Sequence, residues 1–250
     1  MIVNERYLNI LNLLNDKKSI TINEIVKLLN ISESTVRRDL NALDKQRKLI
    51  KVHGGAISNK ISFITEEETL ANKKSININE KRVIAKKAAS LIKPNDFVYI
   101  DCGTTTYEIV NFLTEKNATY VTNSVNIASN LIQKNFNIFM LGGKIKQNTN
   151  AIIGSFAKEY IKKFNFNIGF FGTNGVSLKN GYTTPDIEEA EIKEMAISKT
   201  HMPFVLLDNS KFDLAFSVTF SDLKDAYIIT NKSSNNFISD FKKQTKILEV

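Results

Sequence analysis

Between Ser32 and Gln46, five polar residues recur at helical spacing: Ser34, Arg37, Arg38, Asn41 and Lys45. A hydroxyl, two guanidiniums, an amide and an amine on one face can hold phosphates. A guanidinium can also reach a guanine edge with two hydrogen bonds. Val36, Leu40 and Leu43 follow at i, i+4 and i+7 and mark the opposite, buried face. Ser32 is placed to accept from the free amides of the first turn, and Glu33 suits the positive helix end. Taken alone, the stretch reads equally as an ordinary amphipathic surface helix, because charge on a solvated face is common.

A second set of chemistry-bearing residues lies further along. An apolar run, Phe97 to Ile100, ends in Asp101-Cys102-Gly103-Thr104-Thr105-Thr106, and a helical pattern follows. Gly103 permits a close turn, the next amides stand at a helix start and the threonines add hydroxyl donors. This is a phosphate cradle or, equally, a capped strand-to-helix turn. Neither a GxGxxG fingerprint nor a GK[ST] loop is present. Other apolar runs end in Thr122-Asn123-Ser124, Gly142-Gly143-Lys144, Gly172-Thr173-Asn174-Gly175 and Asp208-Asn209-Ser210-Lys211. Each is common turn chemistry, but parallel strands would bring them to one rim. Lys211 can supply a cation to a phosphate, or is a surface lysine. Cys102 reads as packing rather than a nucleophile, since the two histidines, His53 and His201, lie far from it in sequence. The acidic residues gather at Glu188-Glu189-Ala190-Glu191, a helix start where they suit the dipole, and no Cys/His ligand spacing exists. No metal, cofactor or catalytic residue is expected.

These residues need elements to position them. Tyr7, Leu8, Leu11 and Leu14 trace a first amphipathic helix. Thr21 and Glu24 form a capping box that opens a short second helix with Ile25, Val26, Leu28 and Leu29 inward. Asn30-Ile31 is the turn before Ser32. Helix, short helix, turn and basic helix is the helix-turn-helix plan. Leu49 to Val52 then alternates as a strand, Gly54-Gly55 turns, and Ala56-Ile57 returns, forming a wing. Residues 58–78 lose the periodicity and read as a partly helical connector. The Glu66-Glu67-Glu68 run there reads as a solvated face or as a patch packed on the basic wing. From Asn79 onward, helices such as Val125 to Gln133 and Ile187 to Lys199 alternate with apolar runs: Phe97–Ile100, Thr119–Val121, Phe136–Leu141, Phe166–Phe171, Phe204–Leu207, Ala226–Ile229 and Lys246–Val250. That order predicts a mostly parallel sheet covered on both faces.

Charge and composition agree with a polyanion partner. Residues 1–60 carry 11 lysines and arginines against six acids, and the remaining 190 carry 23 against 20. Most of the net +8 therefore sits on the segment with the basic helix. A single cysteine excludes an intrachain disulfide. No signal-peptide core and no run of membrane-spanning length appears, so a cytoplasmic protein without a membrane partner is expected.

The stretch ITINEIVKLLNISESTVRRDLNALDKQRKLIKVHGGA, with S-x-S-T-V-R-R-D-L upstream of V-H-G-G-A, resembles the DeoR-type winged helix-turn-helix of bacterial transcription regulators. The resemblance places Ser34, Thr35, Arg37, Arg38 and Asn41 on DNA and assigns His53 and Gly54 to the wing. D-C-G-T-T-T, T-N-S, L-G-G-K, G-T-N-G-V, G-Y-T-T-P-D-x-x-E-A and D-N-S-K-F are similar, in that order, to the DeoR-type sensor domain, which has a ribose-5-phosphate isomerase-like fold and binds phosphorylated sugars. It implies effector contacts at Asp101, Gly103, Thr104, Thr105, Thr122, Asn123, Gly142, Gly143, Asn174, Gly175 and Lys211, with the Glu188–Glu191 helix over the cleft. The expected organisation is a DNA-binding domain at 1–57, a linker at 58–78 and an α/β sensor at 79–250. The expected function is a sugar-responsive repressor of a carbohydrate-metabolism operon. It would bind double-stranded operator DNA as a homo-oligomer and answer to a phosphorylated sugar. The rival is a sugar-phosphate isomerase-like enzyme carrying a DNA-binding appendage; a DNA-binding protein that senses nothing is a third reading.

Overall fold

The computed structural model describes residues 3–17, 19–46, 48–52, 54–58, 70–232 and 238–250. His53 and Glu66-Glu67-Glu68 lie outside them. The chain divides into two compact units, Met1–Phe63 and Ile64–Val250.

In the first unit, α1 (Val3–Lys17), α2 (Ile22–Leu29) and α3 (Glu33–Lys45) accompany a three-stranded antiparallel sheet of order β1-β3-β2, with β1 Ser19–Thr21, β2 Leu49–Val52 and β3 Gly55–Ser58. Thr21 caps α2 in a full capping box with Glu24, and Ser32 caps α3. The core is Ile10, Leu14, Ile20, Ile22, Ile25, Val36, Leu40, Leu43, Leu49 and Ala56. Each large apolar member contributes about 1.5–3 kcal/mol by burial. Ile10 and Leu14 share the inward face of α1, and that phase turns Leu8 outward to 60% exposure. Leu28, also expected inward, is 55% exposed, because Ile22 and Ile25 take the inner face of α2. The wing holds a third strand, β1, that the sequence did not announce. Gly54 sits at φ +84°, and a Cβ on Gly55 would stand 2.2 Å from the Ile20 carbonyl oxygen. The two glycines thus serve different needs, the turn and the approach of β1.

In the second unit, seven parallel strands lie in the order β15-β14-β12-β9-β4-β5-β6. They are β4 (Phe97–Ile100), β5 (Thr119–Thr122), β6 (Asn137–Met140), β9 (Phe166–Gly172), β12 (Thr200–Leu206), β14 (Tyr227–Thr230) and β15 (Ile247–Glu249). Strand residues alternate between two cores. Tyr99, Val121, Phe171 and Val205 pack with α8 (Ser155–Ile161), α9 (Ile187–Ser198) and Phe241. Val98, Ile100, Tyr120, Ile168 and Phe170 pack with α5 (Ile78–Ala89) and α7 (Val125–Gln133). The mixed α/β architecture with a parallel sheet is the one expected from the strand–helix alternation. The run Phe136–Leu141 departs from the pattern of a fully buried strand. As the sheet edge, β6 leaves Phe139 and Met140 46% and 48% exposed.

Short antiparallel pieces sit outside the main sheet. They are a hairpin, β7 (Lys144–Lys146) with β8 (Ala151–Ile153), and a three-stranded sheet of β10 (Gly175–Ser177), β11 (Gly181–Thr184) and β13 (Val218–Ser221). Between Ser58 and Asn79 the structure describes one helix, α4 (Leu70–Ser75). Strands β4, β5 and β6 run outward to one side, and β9, β12, β14 and β15 to the other. Chain direction across the sheet therefore reverses between β4 and β9. In open parallel sheets, ligands bind at the carboxyl ends of the strands at such a switch point.

Candidate functional site

In the winged-helix unit, Ser34, Arg37, Arg38 and Asn41 are exposed on α3, and Thr35 is half-buried. The Ser32 hydroxyl lies 3.0 Å from that of Ser34 and 2.8 Å from that of Thr35, and accepts the Thr35 N–H. Hydroxyls at a positive helix end suit a phosphate. Arg37 is tied to Glu33, Nη2 to Oε1 at 2.5 Å. Arg38 is exposed and makes no ion pair among the described residues. The Asn41 side-chain oxygen accepts from Lys51 Nζ at 2.7 Å, which joins α3 to strand β2 of the wing. Gly54 is exposed at the wing turn.

Sequence reasoning missed what aims this helix. Asp39 is 1% exposed and receives Arg6 Nε at 2.7 Å and Nη2 at 3.1 Å. This bidentate pair fixes α3 to α1 across 33 residues of sequence. The signal was an aspartate at an inward position of an apolar helix face.

The second site is a cleft at the carboxyl ends of β4, β9 and β12. Among its lining residues are Gly103, Thr104, Thr105, Asn174 and Lys211, five of the eleven expected effector contacts. Asp101 lies directly beneath. It is 1% exposed, its Oδ2 accepts the Gly172 N–H at 2.9 Å, and it is ion-paired with Lys193 of α9. Burial works against the Lys193 charge, yet the Asp101 and Glu189 carboxylates outweigh it and raise the Lys193 pKa.

The structure does not place the other five in the lining. The Thr122 hydroxyl donates to the Ile100 carbonyl, and Asn123 accepts from the Cys102 N–H at 2.9 Å and donates to the Ile152 carbonyl. Both are buried braces of the β4 and β5 ends. Gly142 and Gly143 lead into β7, where a Cβ on Gly143 would stand 2.8 Å from the Ile153 oxygen. Gly175 opens β10, where a Cβ would stand 2.6 Å from the Leu214 oxygen. Gly143 and Gly175 answer to backbone packing, whereas a Cβ on Gly142 would meet nothing within 4 Å.

Other lining residues were not among the expected contacts: Lys73, Ile76, Lys81, Thr149, Thr173 and Lys193. A signal existed for two of them. Lys81 shares a face with Ile84, Ala85 and Ala88, and Lys193 shares one with Ala196 and Ile197. An ammonium at an inward helical position implies a polar interior. The lining thus carries four ammonium groups. Its carboxylates are spent internally. Asp208 Oδ1 accepts from the Ser210 amide at 3.0 Å, the Ser210 hydroxyl at 2.5 Å and the Asn77 amide at 3.0 Å. Glu189 Oε1 accepts from the Thr149 hydroxyl at 2.8 Å and from Lys146 at 3.1 Å. Asp186 caps α9 through the Glu189 N–H, and Glu188 pairs with Lys144. Cys102 donates to the Thr149 carbonyl, and burial, with the Asp101 charge, pushes its thiol up to about 12. Such a thiol is inert packing. What the cleft can do chemically is hold an anion with ammonium groups, hydroxyls and loop amides.

Fold and site together define a class, a winged helix-turn-helix unit followed by an α/β unit with a cationic cleft. The chain belongs to the DeoR family: residues 6–62 match the DeoR-like helix-turn-helix domain and residues 76–232 the DeoR C terminal sensor domain. It is 38% identical to an HTH-type transcriptional regulator named FruR from Bacillus subtilis, over 99% of this chain and 98% of that one. It is 34% identical to the lactose phosphotransferase system repressor of Staphylococcus epidermidis, over 97% and 95%. Among solved structures, it is similar to ribose 5-phosphate isomerase A of Methanocaldococcus jannaschii, with 16% identity, 54% and 55% coverage and a TM-score of 0.40. Among the described residues no helix is long and apolar enough to cross a membrane.

Proposed function

We propose that this protein is a transcriptional repressor of a carbohydrate-metabolism operon, whose grip on operator DNA is set by a phosphorylated sugar or a related metabolite. Arg38, Arg37, Asn41, Ser34 and Thr35 face the DNA, with Gly54 in the wing. Gly103, Thr104, Thr105, Asn174 and Lys211 face the effector, with Asp101 holding the floor through Lys193. The observation that carries this reading is the charge state of the cleft. Four ammonium groups line it, while the carboxylates beside them are occupied by internal donors, on a chain whose other unit offers, from a capped helix, an arginine with no ion pair among the described residues. The names of the relatives, one a transcriptional regulator and one a repressor, support the regulatory role. The protein acts in the cytoplasm and binds its operator as a homo-oligomer, since helix-turn-helix proteins read paired half-sites.

The protein is not an enzyme on this reading. Isomerisation of a sugar phosphate needs a free acid/base pair. Here Asp101 is neutralised by Lys193, and Glu189 and Asp208 are spent on structural bonds. The test is operator binding by the full chain at fixed salt, with and without hexose and pentose phosphates, run beside turnover assays of the same sugars. A phosphorylated sugar should change operator affinity, and its unphosphorylated parent should not. An effector must bind the two conformations unequally to do so. Turnover without any effect on DNA binding would reverse the assignment.

A further inference from the structure

The two edges of the seven-stranded sheet are finished differently. At one, no residue of β15 is exposed, and Glu249 pairs with Lys242 of α10 (Ser239–Lys242). A short, charged, half-covered strand is a usual way to keep an edge from pairing with another chain. At the other edge, β6 pairs with β5 alone among the described residues, and Asn137, Phe139 and Met140 are exposed. Ile132 of α7, the helix that leads into β6 and packs on it, adds an apolar side chain that is 61% exposed. From Asn135 to Gly143 no residue is charged and none is proline.

This edge has a defined hydrogen-bonding side. The Leu141 N–H donates to the Thr122 carbonyl of β5. Backbone groups alternate in direction along a strand, so Asn137, Phe139 and Leu141 turn theirs toward β5, and Ile138 and Met140 turn theirs outward. An open row of donors and acceptors is satisfied by another strand. Charge selects which strand. The chain carries a net +8, so copies repel wherever their lysines meet. The lysines that flank β6 are turned back on their own chain. Lys134 Nζ donates to the Val110 carbonyl at 2.8 Å, Lys116 Nζ lies 3.5 Å from the ring centroid of Phe136, and Lys144 pairs with Glu188. An uncharged edge fits an uncharged edge, and a second copy of this chain supplies one.

We infer that β6 is a self-assembly edge. Two copies pair their β6 strands antiparallel about a two-fold axis at Phe139, which joins two seven-stranded sheets into one continuous sheet. Ile138 of each copy exchanges both backbone hydrogen bonds with Met140 of the other, the register that satisfies both outward residues at once. Phe139 then stands opposite the second copy's Phe139 in the closely spaced, non-hydrogen-bonded position. Aromatic pairs at such positions stabilise a sheet. The inference rests on the proposed function only for the expectation that the protein assembles with itself.

The test uses the full chain. The pairing brings the two Phe139 Cα atoms to about 4.5 Å, within the roughly 4.4–6.8 Å that a disulfide spans. The two Asn137 residues lie four positions apart along the pair, about 14 Å at about 3.4 Å per residue. Phe139→Cys and Asn137→Cys are oxidised side by side, with wild type, which carries Cys102 only, as the blank. A reducible covalent dimer from Phe139→Cys alone is expected. Equal cross-linking of the two variants, or none from Phe139→Cys, would overturn the pairing. Phe139→Arg sets like charges opposite each other. It should lower the mass in light scattering to half that of wild type or less, with an unchanged circular dichroism spectrum. An oligomeric wild type whose mass Phe139→Arg leaves unaltered would overturn β6 as the edge and leave self-assembly standing. A wild type of one chain mass, 28.2 kDa, would overturn both. If Phe139→Arg fails to fold, the cross-linking result decides. Neither measurement involves DNA or a sugar, so failure of the operator or effector reading is seen separately.

Discussion

Lys193 of α9 and Asp101 at the end of β4, 92 residues apart in sequence, form an ion pair in which the two residues are 3% and 1% exposed. It clamps the helix layer by charge to the floor of the cleft. Removing one partner leaves the other charge buried without compensation, which costs about 3–5 kcal/mol. Lys193→Met should lower the stability of the α/β unit by that amount in urea denaturation. Adding Asp101→Asn should recover part of the loss, because no uncompensated charge remains. A single variant costing under about 1 kcal/mol would show that the pair does not clamp α9.

Arg38 and Arg37 are neighbours with different tasks. Arg37 is held by Glu33, whereas Arg38 is unpaired among the described residues. If Arg38 reads a base with both arms, Arg38→Ala costs about 1–3 kcal/mol of operator affinity and relaxes sequence preference at one position. Arg37→Ala should act on the salt dependence as well, since a guanidinium on a phosphate releases counterions. Titrations of both variants across a salt series separate the cases. Equal affinity of wild type and Arg38→Ala for operator would remove Arg38 from the interface.

Glu24 ties the capping box to pH. The Thr21 backbone N–H, then Lys17, then the Thr21 hydroxyl hold its carboxyl at about 2, against an ordinary 4.5. A folded-state pKa below the unfolded one contributes stability that is fully present above 4.5 and is lost as pH falls toward 2. Denaturation curves of wild type and Glu24→Gln, which keeps the cap geometry without the charge, should therefore converge as pH falls from about 4.5 toward 2 and stay parallel near neutrality. A constant gap through the acid range would refute the electrostatic role.

Cys102 should resist alkylation. Its thiol lies at about 12, raised first by burial and then by Asp101, so the reactive thiolate is scarce at pH 8. Iodoacetamide should label the denatured chain readily and the native chain orders of magnitude more slowly. Rapid native labelling would mean the cleft opens widely without ligand.

Much of this protein was legible in its residues. Cap, apolar period and basic face announce α2 and α3, because helix propensity, capping and amphipathicity are local properties. The main strands could be read from their apolar runs for a related reason: a parallel strand buried on both faces has no polar positions to disguise it. The Gly103–Thr105 turn and Lys211 fell on the cleft because strand ends are marked locally by small and polar residues. The rest was decided by tertiary structure. β1, β10, β11 and β13 are three or four residues long, and their pairing depends on partners up to 39 positions away. Thr122, Asn123 and Gly175 look like ligand residues by type but brace backbone, a distinction only packing makes. Lys81, Lys193 and Arg6 each carry a charge inward, and residue type alone cannot say which distant carbonyl, carboxylate or ligand awaits it. Local sequence determined the elements and the chemistry they offer, because those depend on near neighbours. The fold decided which charges meet, because burial and pairing are settled between segments that sequence keeps far apart.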